Sequence, residues 1–428
     1  IPACDENDSI AETFASLASA RGIEETVVVV IVNHPPDAPD SCRRANELLL
    51  HRLDAGELRL PRLVWRFAPE LTGGVGAARK LGMDAVIASL TPESVEEAAI
   101  WSLDADTTVE PGYLEESEAF LVQSKAGAVT IGFRHREGNT PELERAIRRY
   151  EEYLDSYVER LRRAGSPYAF HTVGSAFVCR AASYIRCGGM RVRTGGEDFY
   201  FLQAVAKTAK VAELQKVLIH PSPRPSERVP FGTGPSVGKL LRGEPLPEIS
   251  DGAFARLKQL LDAAASPGAL DRADALLRRL PAASAAFLEA ERFPAAWNGV
   301  LANLPKTPGA QQEAFHCWFD GLRTLRFLHA AERGVARAVQ LLPEAPDPFL
   351  GRSYHRGQGG VCVPVEVHQG VPEPRGPRED DARGGVCRRH LEELHRRHRR
   401  SSRSEKARVA PIPEDPDCND RKPATGGL

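Results

Sequence analysis

Thr26-Val27-Val28-Val29-Val30-Ile31-Val32 is an unbroken run of β-branched residues. Without polar alternation, such a run reads as a strand buried on both faces of a parallel sheet. Outward from it, strand and helix patterns alternate. Before it, Ile1-Pro2-Ala3-Cys4 reads as the end of a strand. The chain opens on Ile rather than Met, so the start of that strand is expected to precede it. Asp8 or Ser9 can cap a helix running to Ala20, with Ile10, Phe14 and Leu17 on one face. After the run come a helix over 41–54, a strand over 60–67, a helix over 76–88, a strand over 98–103, a helix over 111–123 and a strand over 127–133. This series predicts an α/β domain with a mostly parallel sheet. Such sheets bind ligands at the carboxyl ends of their strands, so polar residues just past strands are the first candidates for function.

The pattern continues with a charged helix over 141–164, a turn and strand over 170–180, a helix opening at Gly195 and a short strand over 217–219. The proline-rich stretch 220–234 reads as a loop or lid. Helical patterns follow at 254–265, 270–280, 282–292 and 311–333. The expected organisation is a first domain over 1–235, a helical subdomain over 236–345 and a tail over 346–428. The tail is rich in Arg, Gly and Pro, with too little apolar surface to offset ordering entropy. It is expected to be disordered, or to be GC-rich sequence translated out of frame.

Composition narrows the classes. Of 428 residues, 42% are hydrophobic and 27% charged, which fits a globular protein, and the net charge of −2 makes no case for nucleic acid. That charge is a cancellation: 16 Lys/Arg against 12 Asp/Glu from Arg352 onward leave a body near −6 and a tail near +4. No apolar run approaches the ~20 residues of a membrane helix. The eight cysteines form no C-x-x-C pair, so free thiols in a reducing cytoplasm are expected.

Four motifs carry chemistry. Ser102-Leu103-Asp104-Ala105-Asp106 puts two carboxylates one residue apart at a strand end; in extended geometry they point the same way. Hard oxygen ligands on one side suit Mg²⁺ or Mn²⁺. Gly195-Gly196-Glu197-Asp198 opens a helix with acids, which serve either the helix dipole or a general base. Gly73-Gly74-Val75-Gly76-Ala77-Ala78-Arg79-Lys80 opens another helix; it fails the dinucleotide pattern G-x-G-x-x-G, and Arg79 with Lys80 suits a diphosphate instead. In the proline-rich loop, His220 is a candidate metal ligand, and Arg224 and Arg228 could close over phosphate.

In this order the pieces resemble a family 2 glycosyltransferase of the GT-A fold, over about residues 1–235. Pro2-Ala3-Cys4-Asp5-Glu6 is similar to the family's "P-x-x-N-E". Asn33 stands where the family usually has a base-reading Asp. Gly76–Gly82 resembles "G-x-x-x-A-R-N-x-G", Asp104–Asp106 the D-x-D, Gly174–Arg180 with Gly188-Gly189-Met190 the acceptor-side segment, and Glu197-Asp198 the "E-D" that carries the base. Asp5, Asn33 and Lys80 depart from the family residues.

The resemblance implies a metal-dependent, inverting transfer from a nucleotide-sugar to an acceptor hydroxyl on a glycan, a lipid-linked or a small-molecule acceptor. Asp198 would be the base, with Glu197 as runner-up. Asp5, Glu6, Asn33, Arg79, Asp104, Arg224 and Arg228 would bind the donor. Asp106, Asp104 and His220 would hold Mg²⁺ or Mn²⁺. The enzyme would be cytoplasmic, with peripheral contact at the inner face of the membrane left open. Two rivals stand: a nucleotidyltransferase on a similar fold, and a non-catalytic nucleotide- or glycan-binding protein.

Overall fold

The computed structural model describes residues 1–193, 195–226, 232–305, 307–333, 354–356 and 362–364. In chain order its elements begin with β1 (Pro2–Ala3), α1 (Ile10–Ala18), β2 (Val28–Asn33), α2 (Asp40–Asp54), β3 (Leu63–Ala68), α3 (Gly74–Ser89), α4 (Pro92–Val95) and β4 (Ala99–Ser102). They continue with β5 (Thr108–Val109), α5 (Tyr113–Ser124), β6 (Ala128–Phe133), α6 (Pro141–Ala164), β7 (Phe177–Arg180), α7 (Ala181–Arg186), α8 (Glu197–Ala206), β8 (Val211–His220) and α9 (Thr233–Leu241). A helical region follows: α10 (Asp251–Ala265), α11 (Ala273–Leu277), α12 (Ala282–Ala290), α13 (Phe293–Asn303), α14 (Pro308–Trp318) and α15 (Gly321–Arg333). Beyond it, β9 (Tyr354–Arg356) and β10 (Cys362–Pro364) pair antiparallel. The remainder of the predicted tail lies outside the described residues.

The protein is α/β, with its strands in two main sheets. The first, β1-β2-β3, is parallel throughout. The β-branched run is its central strand, and Val30, Ile31 and Val32 are nearly or fully buried. The second sheet, ordered β4-β7-β6-β8-β5, is mixed: β6 and β8 run parallel, and the other pairs are antiparallel. The parallel character read from the sequence therefore belongs to the first sheet and to β6–β8. The antiparallel pairs arise where β7 runs against both β4 and β6, and where β5 runs against β8.

Helix α6 has the bounds expected of it, because both ends carry strong signals. Thr140 caps its start through Oγ1 to the Leu143 amide at 3.2 Å, Pro141 fills the first turn, and Gly165 ends it at φ 82°. Other bounds moved. The strand expected at 217–219 is the end of the ten-residue β8, whose early residues alternate too irregularly to be legible. Residues 221–226 are irregular, but the expected loop gives way to α9 at Thr233. Fully buried Val237 anchors α9 against Leu143, Ile147 and Tyr150 of α6. The single helix expected over 311–333 is two, broken between Trp318 and Gly321.

The helical region builds its own core on the last turns of α6, through Leu161 and Ala164. Its centre is Trp297, fully buried, stacked on Phe293 at 5.5 Å and donating Nε1–H to the Leu270 carbonyl at 2.9 Å. Among the described residues no helix is long and apolar enough to cross a membrane. Trp297→Ala is expected to cost about 3–5 kcal/mol, read as a lower denaturant midpoint.

Candidate active site

The carboxyl ends of β1, β2, β4 and β8 carry Asp5 and Glu6, Asn33, Asp104 and Asp106, and His220. The structure brings many of the sequence candidates together, through contacts the sequence did not specify.

Arg79 lies at the centre. It sits on α3 with its side chain 5% exposed. Nη1 donates to Oε1 of Glu197 and Nη2 to Oδ1 of Asp104. The guanidinium lies on the backbone of Gly174, where an added Cβ would meet it at 2.5–2.7 Å, so that position takes no side chain. Burial works against the charged form of Arg79. The charges of Asp104, Glu197 and Asp198 outweigh it and hold the pKa above its ordinary value. Arg79 was expected to meet a diphosphate; here both arms of its fork are occupied by carboxylates. The glycines ahead of it serve packing as well: a Cβ at Gly76 would meet the Arg193 carbonyl oxygen at 2.5 Å.

The D-x-D segment is a turn rather than extended strand, closed by the Thr107 amide donating to the Asp104 carbonyl at 3.2 Å. Leu103 and Ala105 are buried, while Asp104 and Asp106 keep 33% and 21% of their side-chain surface. The turn is held from outside. Thr13 Oγ1 donates to the Ala105 carbonyl at 2.8 Å, and Arg136 Nη2 to the Asp106 carbonyl at 3.1 Å. Arg136 and Thr13 were missed from the sequence, because a side chain that serves a distant carbonyl leaves no local pattern. Also missed were the buried Thr107 and Tyr113 hydroxyls, which have no hydrogen-bond partner among the described residues. Burial, with the charge of Asp104 added, pushes the Tyr113 hydroxyl well above its ordinary value.

Arg224 crosses from the loop after β8. Its Nη2 donates to Oε1 of Glu6 and stands 3.1 Å from Oδ2 of Asp106. Arg228 lies outside the described residues. His220 is placed at the end of β8 in register with Thr108, but its ring faces elsewhere. Nε2 is 2.8 Å from Oε1 of Glu110, and Nδ1 is 3.0 Å from the Arg134 carbonyl. Asn33 is 5% exposed, and its Nδ2 donates to the Ala3 and Ile31 carbonyls, so that amide ties β1 to β2. Asp5 is exposed at φ 59°, its amide held by Asn46 Oδ1 at 3.0 Å.

Glu197 and Asp198 begin α8, after Gly196 at φ 69°. Glu197 is 2% exposed and bound to Arg79, while Asp198 is half-buried and accepts the Phe199 amide at 2.7 Å. Burial, joined by the charge of Glu197, pushes the Asp198 carboxyl up to about 7; Arg79 and the Phe199 amide pull the other way. A carboxylate poised near neutrality can take and release a proton. Phe199, the next residue, lines a cavity of about 90 Å³ together with Tyr150, Tyr157, Tyr168, Phe170 and Gln203 among others.

Among the described residues, no group of three or more His, Cys, Asp or Glu side chains is set to hold a metal by itself. The donor chemistry nonetheless fits a hard cation. Glu6, Asp104, Asp106 and Glu197 gather on the guanidiniums of Arg79 and Arg224. Asp104 and Asp106 supply oxygens to which a diphosphate would add more.

No known family and no curated protein matches this chain. Solved structures do resemble it in architecture. One is S. aureus TarS residues 1–349 in complex with UDP-GlcNAc, at 13% identity and TM-score 0.41, covering 78% of this chain and 90% of that one. Another is the mannosyltransferase PcManGT from Pyrobaculum calidifontis in complex with GDP-Man and Mn²⁺, at 15% identity and TM-score 0.36, covering 74% and 85%.

Arg79→Met leaves two carboxylates without their counter-charge. The expected loss is about 3–5 kcal/mol at pH 7, read from urea unfolding.

Proposed function

We propose that the protein is a family 2 glycosyltransferase of the GT-A fold that moves a hexose-type sugar from a nucleotide-diphosphate donor to an acceptor hydroxyl, with inversion. The observation that carries this reading is the pair of unequal acids at the start of α8. Glu197 is locked on Arg79, while burial and the Glu197 charge push the half-buried Asp198 carboxyl up to about 7. Asp198 then accepts the proton of the acceptor hydroxyl. The acceptor oxygen bonds to the anomeric carbon, the bond from that carbon to the diphosphate breaks, and the nucleoside diphosphate leaves. Glu197 positions Arg79, and Arg79 positions Asp104 on the donor side.

Asp104 and Asp106 would hold Mg²⁺ or Mn²⁺, which supplies positive charge for the leaving diphosphate. Arg224 sits on Asp106 and adds charge to the same place. His220 is committed to Glu110 and Arg134, so the cation is assigned to the aspartates alone. The small aromatic cavity lined by Phe199, the residue after Asp198, offers ring faces to part of an acceptor, whether a glycan, a lipid-linked or a small molecule. A cytoplasmic enzyme working at the inner face of a membrane remains part of the proposal.

The nucleotidyltransferase reading needs a basic loop after the first strand, whereas Asp5, Glu6 and Asp8 make that segment acidic. Incubation with a panel of nucleotide-sugars and Mn²⁺, following nucleotide release, separates the readings. No release from any donor would sink the transferase.

Asp198→Asn is expected to lower turnover about 10²–10⁴-fold while donor binding persists; full activity would overturn the assignment. Because the base must be ionised, the wild-type rate should level off above about pH 7 and fall about tenfold per pH unit below it. Asp106→Ala should lose metal-dependent donor affinity by calorimetry; unchanged affinity would remove the metal role.

A further inference from the structure

Two sulfurs meet at the donor-side end of the first sheet. Cys4 directly follows β1, and Cys42 lies near the start of α2, with their Sγ atoms 3.7 Å apart. Cys42 is 5% exposed and Cys4 half-buried, so Cys4 is the more accessible residue of the two. The two segments are already fastened to each other. Asn46, one turn along α2, accepts the Asp5 amide at 3.0 Å and donates to the Asn33 carbonyl at 2.8 Å. The other described cysteines sit differently. Cys179 is fully buried, Cys187 faces the Tyr184 carbonyl and Cys317 the Lys207 carbonyl.

We propose that Cys4 and Cys42 form a thiol-modification site that takes a low-molecular-weight disulfide and closes into an internal disulfide beside the donor-binding segment. Cys4, the more accessible of the two, loses its proton to solvent and attacks the small disulfide. A mixed disulfide forms on Cys4 and one small thiolate leaves. Cys42 then loses its proton, attacks Cys4 Sγ and releases the second thiolate. Two protein thiols are oxidised, one small disulfide is reduced to two small thiols, and each departing thiolate takes up a proton.

Bond formation brings the sulfurs from 3.7 Å to about 2.0 Å. That movement draws the Cys4–Glu6 segment toward α2. Asp5 is the joint, already at φ 59°, and Glu6 is the carboxylate that holds Arg224 over Asp106. The link itself rests on geometry alone; its effect on the donor rests on the transferase reading.

The test incubates the full chain with oxidised glutathione and maps non-reduced peptides by mass. The expected product joins the Cys4 and Cys42 peptides, about 2 Da below their summed mass, and dithiothreitol reverses it. Cys42→Ser should stop at the glutathione adduct on Cys4, and Cys4→Ser should give neither product. In the linked protein the KM for the nucleotide-sugar should rise about tenfold, with return on reduction. A wild-type protein that keeps glutathione on Cys4, or links other cysteines only, overturns the site. A 4–42 link with unchanged KM overturns its donor-side role. If the reduced protein releases no nucleotide from any donor, the transferase reading fails, and the mapped peptides still decide the link.

Discussion

One buried cation organises the site. Arg79 bridges Asp104 at a strand end and Glu197 at a helix start, so three segments far apart in sequence meet on one guanidinium. A planar fork with several donors can serve two carboxylates at once, which the compact ammonium of lysine does less well. Taking these charges out of water is costly, and the arrangement holds only while each is paired. The glycine at 174 belongs to the same constraint, since it lets the guanidinium lie flat on the backbone.

The division of labour between the two acids of α8 follows from that cation. Glu197 takes the guanidinium and is shielded. Asp198, next in the chain, meets the Glu197 charge and burial without a hydrogen-bonded guanidinium of its own. Burial and a neighbouring charge thereby raise the proton affinity of Asp198. On the donor side, Arg224 does for Glu6 and Asp106 what Arg79 does for Glu197 and Asp104. The two clamps differ in exposure: Arg79 is sealed in, whereas Arg224 comes from a loop and is 35% exposed.

Most elements of the α/β region were legible because strong local signals marked them: the β-branched β2, the capped and glycine-ended α6, and the acids opening α8. Elements governed by packing were not. The first half of β8 mixes polar and apolar residues because its strand neighbours decide its burial. Helix α9 depends on Val237 docking against α6. Of the candidate residues, Asp104, Asp106, Glu197 and Asp198 stood out by residue type and position, and the structure sets Asp104 and Glu197 on one guanidinium. His220 and Asn33 could not be placed the same way, because a polar residue at a strand end serves a ligand or its own neighbours without any change in the local sequence.

The amino-acid sequence by itself determined the alternation of strands and helices and the acids at their ends, because periodicity, caps and β-branching act over a few residues. Only the tertiary structure decided which charges meet. It set Arg79 between Asp104 and Glu197, Arg224 across Glu6 and Asp106, and Cys4 against Cys42. Those pairings join residues dozens to hundreds of positions apart. The energy that selects them, desolvation set against charge and hydrogen bonding, exists only once the chain has folded around them.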